Sequence, residues 1–295
     1  MSAELWSRTG GAGTTAGNGN DWARSPLAGL VRRPLQALTL GPVLRSLVAV
    51  EARGADDLAE TATGPAGTVG PVIIAANHAS HLDTPVLLSA LPGALRRRTV
   101  VAAMGGALFD SGWRRQASAL LFNAALLGGG HRPGGVSADA LLAEGWSLLV
   151  YPEGGRSVDG FLGRFADLAA ELAIRHRLPL VPAGVRGTYA VLPKGRPWPV
   201  RSGRDHPARS RISVGFGPAL RPGPGEDVRS VGDQLAAAVT RLIDEDATTW
   251  WEAQRHPRPA GESVDPPVGS WRRIWQQTQP PGKGGQRSRR RIWVR

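Results

Sequence analysis

A histidine and an aspartate stand five residues apart in the stretch Asn77–Pro85, at His78 and Asp83. The stretch follows the apolar run 71–76 and precedes a second apolar run, so it lies where a buried strand is expected to turn into a helix. A neutral imidazole can take a proton from a hydroxyl group near neutral pH. A carboxylate on the other ring nitrogen would fix the tautomer and stabilise the imidazolium, so the pair indicates a general base and its partner.

The spacing of the pair sets a condition on the backbone. On an unbroken helix five residues turn the chain by about 500°, so the two side chains would point well apart. They can meet only if the chain bends between them, and Ser80, Thr84 and Pro85 suit a helix start there. The alternative interpretation is that Asp83 or Thr84 merely caps that helix and that His78 is an ordinary loop histidine.

A second polar cluster follows the predicted strand Ser147–Tyr151 and contains Glu153, Gly154, Arg156 and Ser157. Arg156 offers a planar fork that can bind a phosphate or carboxylate through two hydrogen bonds, and Ser157 adds a hydroxyl group. Glu153 could orient Arg156 or bind a substrate hydroxyl. The alternative is a turn with a surface Glu–Arg pair, which would contribute little to stability.

Apolar runs and helix-like stretches alternate along the chain, which predicts an α/β domain with a mainly parallel sheet flanked by helices. The predicted strands are 71–76, Thr99–Ala103, Ala124–Leu127, Ser147–Tyr151, Leu180–Val185 and Ile212–Phe216. The predicted helices are Leu27–Val50 with a break near Gly41-Pro42, Val86–Leu91, Trp113–Phe122, Val136–Glu144, Phe165–Arg177 and a closing helix containing Val231, Leu235, Val239 and Leu242.

Two local expectations accompany this fold. Gly54–Gly70 is predicted to be a loop, and Pro182 inside an apolar strand indicates an edge strand or a bulge. Because the polar clusters all follow strands, a parallel sheet would gather them at its carboxyl ends, where ligands bind.

The net charge of +12 is concentrated at the C-terminal end, since residues 251–295 contain ten Lys/Arg and three Asp/Glu. We expect a disordered N-terminus at 1–25, a catalytic domain at 26–247 and a poorly ordered, basic Trp/Arg/Pro-rich tail at 248–295. The tail and the basic amphipathic stretch Leu27–Val50 predict an anionic membrane surface as a partner, with nucleic acid less favoured. The alternative for that stretch is a helix packed on its own domain.

The composition also excludes some classes of site. The chain has no cysteine, so it has no disulfide, thiolate metal site or cysteine nucleophile. The first 25 residues lack the apolar core of a secretory signal, and no apolar run reaches the about 18 residues that a spanning helix needs. We therefore expect a cytoplasmic protein that associates peripherally with the cytoplasmic face of the membrane.

Three motifs resemble those of the glycerolipid acyltransferases, which include the lysophosphatidic acid acyltransferases. They are Asn77-His78-x4-Asp83, Tyr151-Pro152-Glu153-Gly154-x-Arg156-Ser157 and the strand with Val181-Pro182, in that order within roughly residues 70–220. The resemblance implies transfer of an acyl group from acyl-CoA or an acyl carrier protein to a hydroxyl of a lysophospholipid such as lysophosphatidic acid, with no further cofactor.

The resemblance also implies roles for individual residues. His78 would be the base and Asp83 its partner, Glu153 to Ser157 would form part of the acceptor-phosphate site, and the Val181-Pro182 strand would help line the acyl-donor region. The sequence departs from the family at Gly155, where threonine is usual. It also lacks the acid–arginine pair of the second motif near residues 124–132, where Arg132 is the nearest candidate for a phosphate ligand.

Two other classes of function remain open at this point. His78, His81, Asp83 and His131 are residue types that can bind a hard metal ion, so a metal-dependent hydrolase is one alternative. The other alternative is a non-catalytic protein that binds anionic lipid or nucleic acid through the basic tail.

Overall fold

The computed structural model describes residues 21–64, 67–103, 111–128, 135–157, 160–196, 198–199 and 210–245. All of them belong to the compact unit Met1–Ala260. Arg132, His131 and the tail 248–295 lie outside the described residues. So does the predicted disordered N-terminus, except for residues 21–25, which include a 3-10 helix at Asp21–Arg24.

The described residues form seven strands and ten α-helices. The strands are β1 (Val48–Arg53), β2 (Ile73–Ala76), β3 (Thr99–Ala103), β4 (Ala124–Leu126), β5 (Ser147–Val150), β6 (Leu180–Arg186) and β7 (Ser210–Phe216). The helices are α1 (Pro26–Leu35), α2 (Gly41–Leu47), α3 (Ala55–Ala62), α4 (Asp83–Ala90), α5 (Gly93–Arg97), α6 (Gly112–Phe122), α7 (Ala138–Ala143), α8 (Leu168–His176), α9 (Thr188–Val191) and α10 (Val228–Glu245).

The seven strands form one sheet in the order β1-β7-β6-β2-β5-β3-β4. Neighbouring strands are parallel except for β6 and β7, which are antiparallel. The prediction of a mainly parallel sheet flanked by helices is confirmed. Its central strands β6, β2 and β5 end side by side, so the loops that follow them share one edge of the sheet.

Apolar side chains cover both faces of the sheet, as expected for parallel strands that are buried on both sides. On β2, Ile74 and Ala76 pack into one apolar cluster with α4, whereas Ile73 and Ala75 pack into the other with α8 and α10. All four residues of β2 are fully buried. This burial holds the strand that carries the His78 motif at the centre of the domain.

The sequence interpretation was wrong at Val48–Arg53 and at Ala55–Ala62. Val48 to Val50 were assigned to a helix but begin the edge strand β1, and the predicted loop Gly54–Gly70 contains α3. Gly54 joins the two elements with φ of +71°, and a Cβ atom there would lie 2.1 Å from the carbonyl oxygen of Phe216. Only glycine therefore permits this close approach of β1 and β7.

Pro182 lies in an interior strand, so the edge alternative was wrong, and a bulge explains how it is accommodated. Ala183 pairs with Phe216 at the end of β7, whereas the next bridge joins Leu180 to Leu220, so the opposite segment carries one extra residue between the two pairs. The carbonyl oxygen of Pro182 still accepts a hydrogen bond from Gly217 N at 2.9 Å. The bulge removes the need for the N–H group that proline lacks.

The N-terminal segment, which runs from α1 through α2 (residues 26–47), packs on its own domain while it exposes apolar side chains. A π-helical turn at Gln36–Leu40 joins α1 to α2, which is the form taken by the predicted break near Gly41-Pro42. Arg32 donates hydrogen bonds to the carbonyl oxygens of Ala119 (3.1 Å) and Leu120 (2.6 Å), and Gln36 donates to that of Leu121 (2.5 Å). These are the last carbonyls of α6, so the segment caps that helix.

The outward side of the segment is apolar. Its exposed large side chains are Leu27, Leu30, Val31, Leu38 and Val43, and Trp113 on α6 is exposed as well. Across the described ranges, no helix combines the length and the apolar character needed to cross a bilayer.

Candidate active site

At the start of the site, the side-chain amide of Asn77 joins the end of β2 to β6 by two hydrogen bonds. Asn77 follows β2 directly, and its Nδ2 donates to the carbonyl oxygen of Val185 at 2.9 Å. Its Oδ1 accepts a hydrogen bond from Val185 N at 2.7 Å. This pair of bonds continues the sheet by one residue and fixes the starting direction of the loop that carries His78.

The bend predicted between His78 and Asp83 is present, and it is built around the Asp83 carboxylate. Oδ2 of Asp83 accepts hydrogen bonds from the backbone N–H groups of Ala79 and Ser80, both at 2.7 Å. The same oxygen lies 2.9 Å from Nδ1 of His78. Asp83 is completely buried at the start of α4. Because the carboxylate is the acceptor, Nδ1 is the donor and Nε2 of His78 keeps its lone pair.

The backbone of His78 is held from the second polar cluster. Its N–H donates to Oε1 of Glu153 at 2.7 Å, and its carbonyl oxygen accepts from Ser157 N at 2.7 Å. The other carboxylate oxygen of Glu153 accepts from Gly163 N at 2.8 Å. Burial raises the pKa of Glu153, although the hydrogen bonds from His78 and Gly163 oppose the rise. Glu153 thus holds the His78 loop, while its predicted substrate-binding role stays a prediction.

Tyr151, which the sequence interpretation did not single out, covers one face of the His78 ring. The ring centroids are 4.1 Å apart and the planes are inclined by 19°. The hydroxyl group of Tyr151 lies 2.8 Å from Oγ1 of Thr84, the residue after Asp83. Burial and the negative charge of Asp83 raise the pKa of Tyr151, so the phenol stays neutral. The sequence signals were its place at the end of a buried strand and at the start of the motif Tyr151–Ser157, in which it was given no role.

Two cationic side chains lie on the same edge of the sheet. Burial lowers the pKa of Arg156, an effect that the charge of Asp83 opposes, and its guanidinium makes no hydrogen bond or ion pair within the described residues. Lys194, also missed from the sequence, donates to the carbonyl oxygen of Arg156 at 2.9 Å. Its loop is fixed because Oγ of Ser80 donates to the carbonyl oxygen of Leu192 at 2.7 Å.

The remaining members of the predicted cluster shape the turn after β5. Gly154 has φ of +69°, and its N–H donates to the carbonyl oxygen of Tyr151 at 3.0 Å. Oγ of Ser157 accepts from Gly160 N at 2.9 Å. The structure therefore brings His78, Asp83 and residues 153–157 together, whereas Arg132 lies outside the described residues.

His81 does not join the His78–Asp83 pair. Burial and, to a lesser extent, the nearby positive charge of Arg156 lower the pKa of His81 to about 4, so its imidazole is neutral at neutral pH. Within the part of the chain that the structure describes, no three histidine or carboxylate side chains gather as metal ligands. The donor set required by the metal-hydrolase alternative is thus not assembled among those residues.

Comparison with known proteins agrees with this geometry. Residues 50–186 match the acyltransferase family model. The chain carries an acyltransferase domain. The match begins in β1, ends in β6 and includes His78, Asp83, Glu153 and Arg156, so the predictions of an acyltransferase and of a resemblance to the glycerolipid acyltransferases are confirmed.

The fold of the acyltransferase domain is similar to that of a solved enzyme. The crystal structure of the 1-acyl-sn-glycerophosphate acyltransferase PlsC from Thermotoga maritima aligns with a TM-score of 0.51 and 23% sequence identity. The alignment covers 78% of this chain and 83% of that chain. No curated protein sequence matches the chain significantly.

Proposed function

We propose that this acyltransferase transfers a fatty acyl group from an acyl thioester, acyl-CoA or an acylated carrier protein, to a hydroxyl group of a lysophospholipid. The observation that carries the proposal is the contact of 2.9 Å between Nδ1 of His78 and Oδ2 of the buried Asp83. It leaves Nε2 as a base. Arg156, whose neighbour Ser157 donates to the carbonyl oxygen of His78, makes no side-chain hydrogen bond or ion pair within the described residues. A base and a cation on the same edge of the sheet suit an acceptor that carries both a hydroxyl and a phosphate.

The proposed reaction needs no covalent enzyme intermediate. The acceptor hydroxyl oxygen attacks the thioester carbonyl carbon while its proton passes to Nε2 of His78. Collapse of the tetrahedral oxyanion breaks the carbon–sulfur bond, and the departing thiolate takes the proton back from Nε2. The Asp83 carboxylate stabilises the imidazolium between these steps, and the N–H groups of Ala79 and Ser80 keep the carboxylate in place.

Arg156 is the proposed ligand of the acceptor phosphate. A guanidinium can bind two phosphate oxygens at once, and it stays charged despite the lowered pKa. The ammonium group of Lys194 lies beside the same loop and adds a second positive charge. Ser157 and Gly154 shape this loop. Arg132, which lies outside the described residues, is a further proposed phosphate ligand.

The N-terminal segment is the proposed point of contact with the membrane that supplies the acceptor. Leu27 is 74% exposed and Leu38 is 77% exposed, although each belongs to a helical segment that packs on the domain. Exposed leucines on a basic helix suit insertion into the headgroup region of a bilayer. We propose that this apolar contact and the basic tail 248–295 together hold the enzyme on an anionic surface.

Thiol release by the purified full-length protein tests the proposed reaction. Acyl-CoA and acyl carrier protein donors of several chain lengths would each be combined with lysophosphatidic acid, neutral lysophospholipids and glycerol 3-phosphate. We expect release that depends on a lysophospholipid acceptor and a diacyl product seen by mass spectrometry.

Two histidine variants complete the test of the proposed reaction. His78→Ala should lower turnover about 10²- to 10⁴-fold, whereas His81→Ala should keep most of it and circular dichroism should show both folded. Thiol release without an acceptor would indicate a thioester hydrolase instead. Equal losses in the two variants would favour the metal-hydrolase alternative.

A further inference from the structure

We propose that Tyr151 is a positioning residue, whose ring stacks on the imidazole of His78 and holds it in the orientation that a general base requires. The inference rests on the proposed role of His78 as the base. Tyr151 is 9% exposed, its ring centroid lies 4.1 Å from that of His78, and the two planes differ by 19°. The stack covers one face of the imidazole.

The stack restricts a motion that the other contacts leave open. The hydrogen bond from Nδ1 to Asp83 fixes one point of the His78 ring, but the ring can still rock about that contact. Glu153 and Ser157 hold only the backbone of His78. A ring packed nearly parallel against the imidazole stops the rocking, because tilting would drive the two rings into each other. The direction of Nε2 is thereby set without any contact to Nε2 itself.

The ring of Tyr151 is held by its packing in the apolar cluster, and its hydroxyl group adds one further contact. The hydroxyl group lies 2.8 Å from Oγ1 of Thr84, which follows Asp83 in the first turn of α4. The main chain of Tyr151 is fixed as well, because its carbonyl oxygen accepts from Gly154 N at 3.0 Å. Tyr151 therefore connects the loop after β5 to the same turn of α4 that presents Asp83. Movement of His78 relative to Asp83 would have to displace this connection.

Kinetics of matched variants separate positioning from core packing. Tyr151→Phe keeps the ring and removes the hydrogen bond, and Tyr151→Leu removes the ring. Phe216→Leu is the control, because Phe216 on β7 is also a buried aromatic residue of the same apolar cluster. The kcat and the KM for donor and acceptor would be measured on the full-length protein, with melting temperatures for all variants and His78→Ala as the blank.

We expect a large loss in kcat only in the variant that lacks the aromatic ring. Tyr151→Leu should lower kcat about 10- to 100-fold, the usual cost of a small misplacement of a reacting group, with each KM within about twofold. Tyr151→Phe should stay within about threefold of the wild type, since stacking is retained. Thr84→Val removes the same hydrogen bond, so its small effect should not add to that of Tyr151→Phe. Phe216→Leu should lower the melting temperature while kcat stays within about threefold.

Proton NMR of the imidazole supplies a readout that core packing would not change. The carbon-bound ring protons of His78, assigned by their loss in His78→Ala, should show the upfield shift of a stacked ring in the wild type and in Tyr151→Phe but not in Tyr151→Leu. If Tyr151→Leu does not fold, Tyr151→Met, which has a similar length and no ring, takes its place under the same criterion.

Two results would overturn the assignment of Tyr151. The first is a kcat within about threefold of the wild type in the ringless variant while His78→Ala is inactive. The second is a loss in the ringless variant no larger than in Phe216→Leu at an equal melting temperature. An active His78→Ala would instead overturn the proposed function, and the two failures are therefore distinguishable.

Discussion

Replacing Asp83 by asparagine tests the central pair with little change in shape. Oδ2 of Asp83 accepts three hydrogen bonds, whereas the buried Oδ1 has no hydrogen-bond partner among the described residues. Asparagine can keep its carbonyl oxygen at the position of Oδ2 and place its amide nitrogen at the position of Oδ1. The Asp83→Asn variant should therefore keep the fold and the tautomer of His78 while it loses the negative charge.

The size of the effect follows from the contact of 2.9 Å between the carboxylate and the imidazole. A hydrogen bond to a charged group contributes about 1.5–3 kcal/mol, against about 0.5–1.5 kcal/mol for a neutral one. The attraction between the imidazolium and a carboxylate at this range adds up to about 4 kcal/mol at a typical effective dielectric constant. We take about 2–4 kcal/mol of transition-state stabilisation as lost, which corresponds to roughly 30- to 900-fold in kcat.

The assay is thiol release at saturating donor and acceptor, with melting temperatures measured alongside. Asp139→Asn is the matched control, because Asp139 accepts hydrogen bonds from His176 at 2.7 Å and Arg175 at 2.9 Å in a second His–Asp contact. That contact joins α7 to α8 and does not involve the active-site loops. We expect kcat of Asp139→Asn to equal that of the wild type.

The reasoning about Asp83 would be refuted by a folded Asp83→Asn variant whose kcat stays within about threefold of the wild type. A loss of activity that accompanies unfolding would be seen in the melting temperature. A large loss in Asp139→Asn would show that the assay responds to stability rather than to the charge beside His78.

Three further predictions concern the acceptor, the membrane and pH. Arg156→Lys should raise the KM of a phosphate-bearing acceptor more than that of the donor, because an ammonium cannot bind two oxygens in a fork; an unchanged acceptor KM would contradict this. In vesicle sedimentation, truncation after Asp246 should weaken binding to acidic vesicles and flatten its salt dependence. Leu27→Ser combined with Leu30→Ser should remove the binding that salt does not screen, and equal binding by all variants would argue against both contacts. The pKa of His81 falls to about 4 from an ordinary value of 6.5, so the unfolded chain binds more protons between these pH values. The free energy of unfolding should therefore decrease as the pH falls through this window, and it should decrease less in His81→Gln; identical pH profiles would contradict the assignment.

The positions of His78 and Asp83 could be predicted because local sequence determines them. The apolar run before Asn77 gives a buried strand, and Pro85 suits the first turn of the helix that follows. The contact then needs only a tight turn between two fixed elements. The strands β2, β5 and β6 were also predictable, since they are apolar runs bounded by turn residues.

The features that were missed depend on contacts between distant parts of the chain. Tyr151 is one of several buried apolar residues in the sequence, and nothing local shows that its ring faces His78, 73 residues away. The strand Val48–Arg53 was assigned partly to a helix because its pairing with β7 spans more than 150 residues. The bulge beside Pro182 likewise depends on the segment that follows β7, where Leu220 forms an isolated bridge with Leu180.

The capping of α6 by the N-terminal segment has a practical consequence for protein production. Because the N-terminal segment exposes leucines, an experimenter would consider deleting residues 21–47 to improve solubility. Deletion would remove the hydrogen bonds that Arg32 and Gln36 donate to the last carbonyl groups of α6. This helix leads through Asn123 into β4. Replacing Leu27 and Leu38 by polar residues would reduce the exposed apolar surface area and keep the hydrogen bonds that cap α6. Point replacement is therefore the better way to purify the protein without detergent.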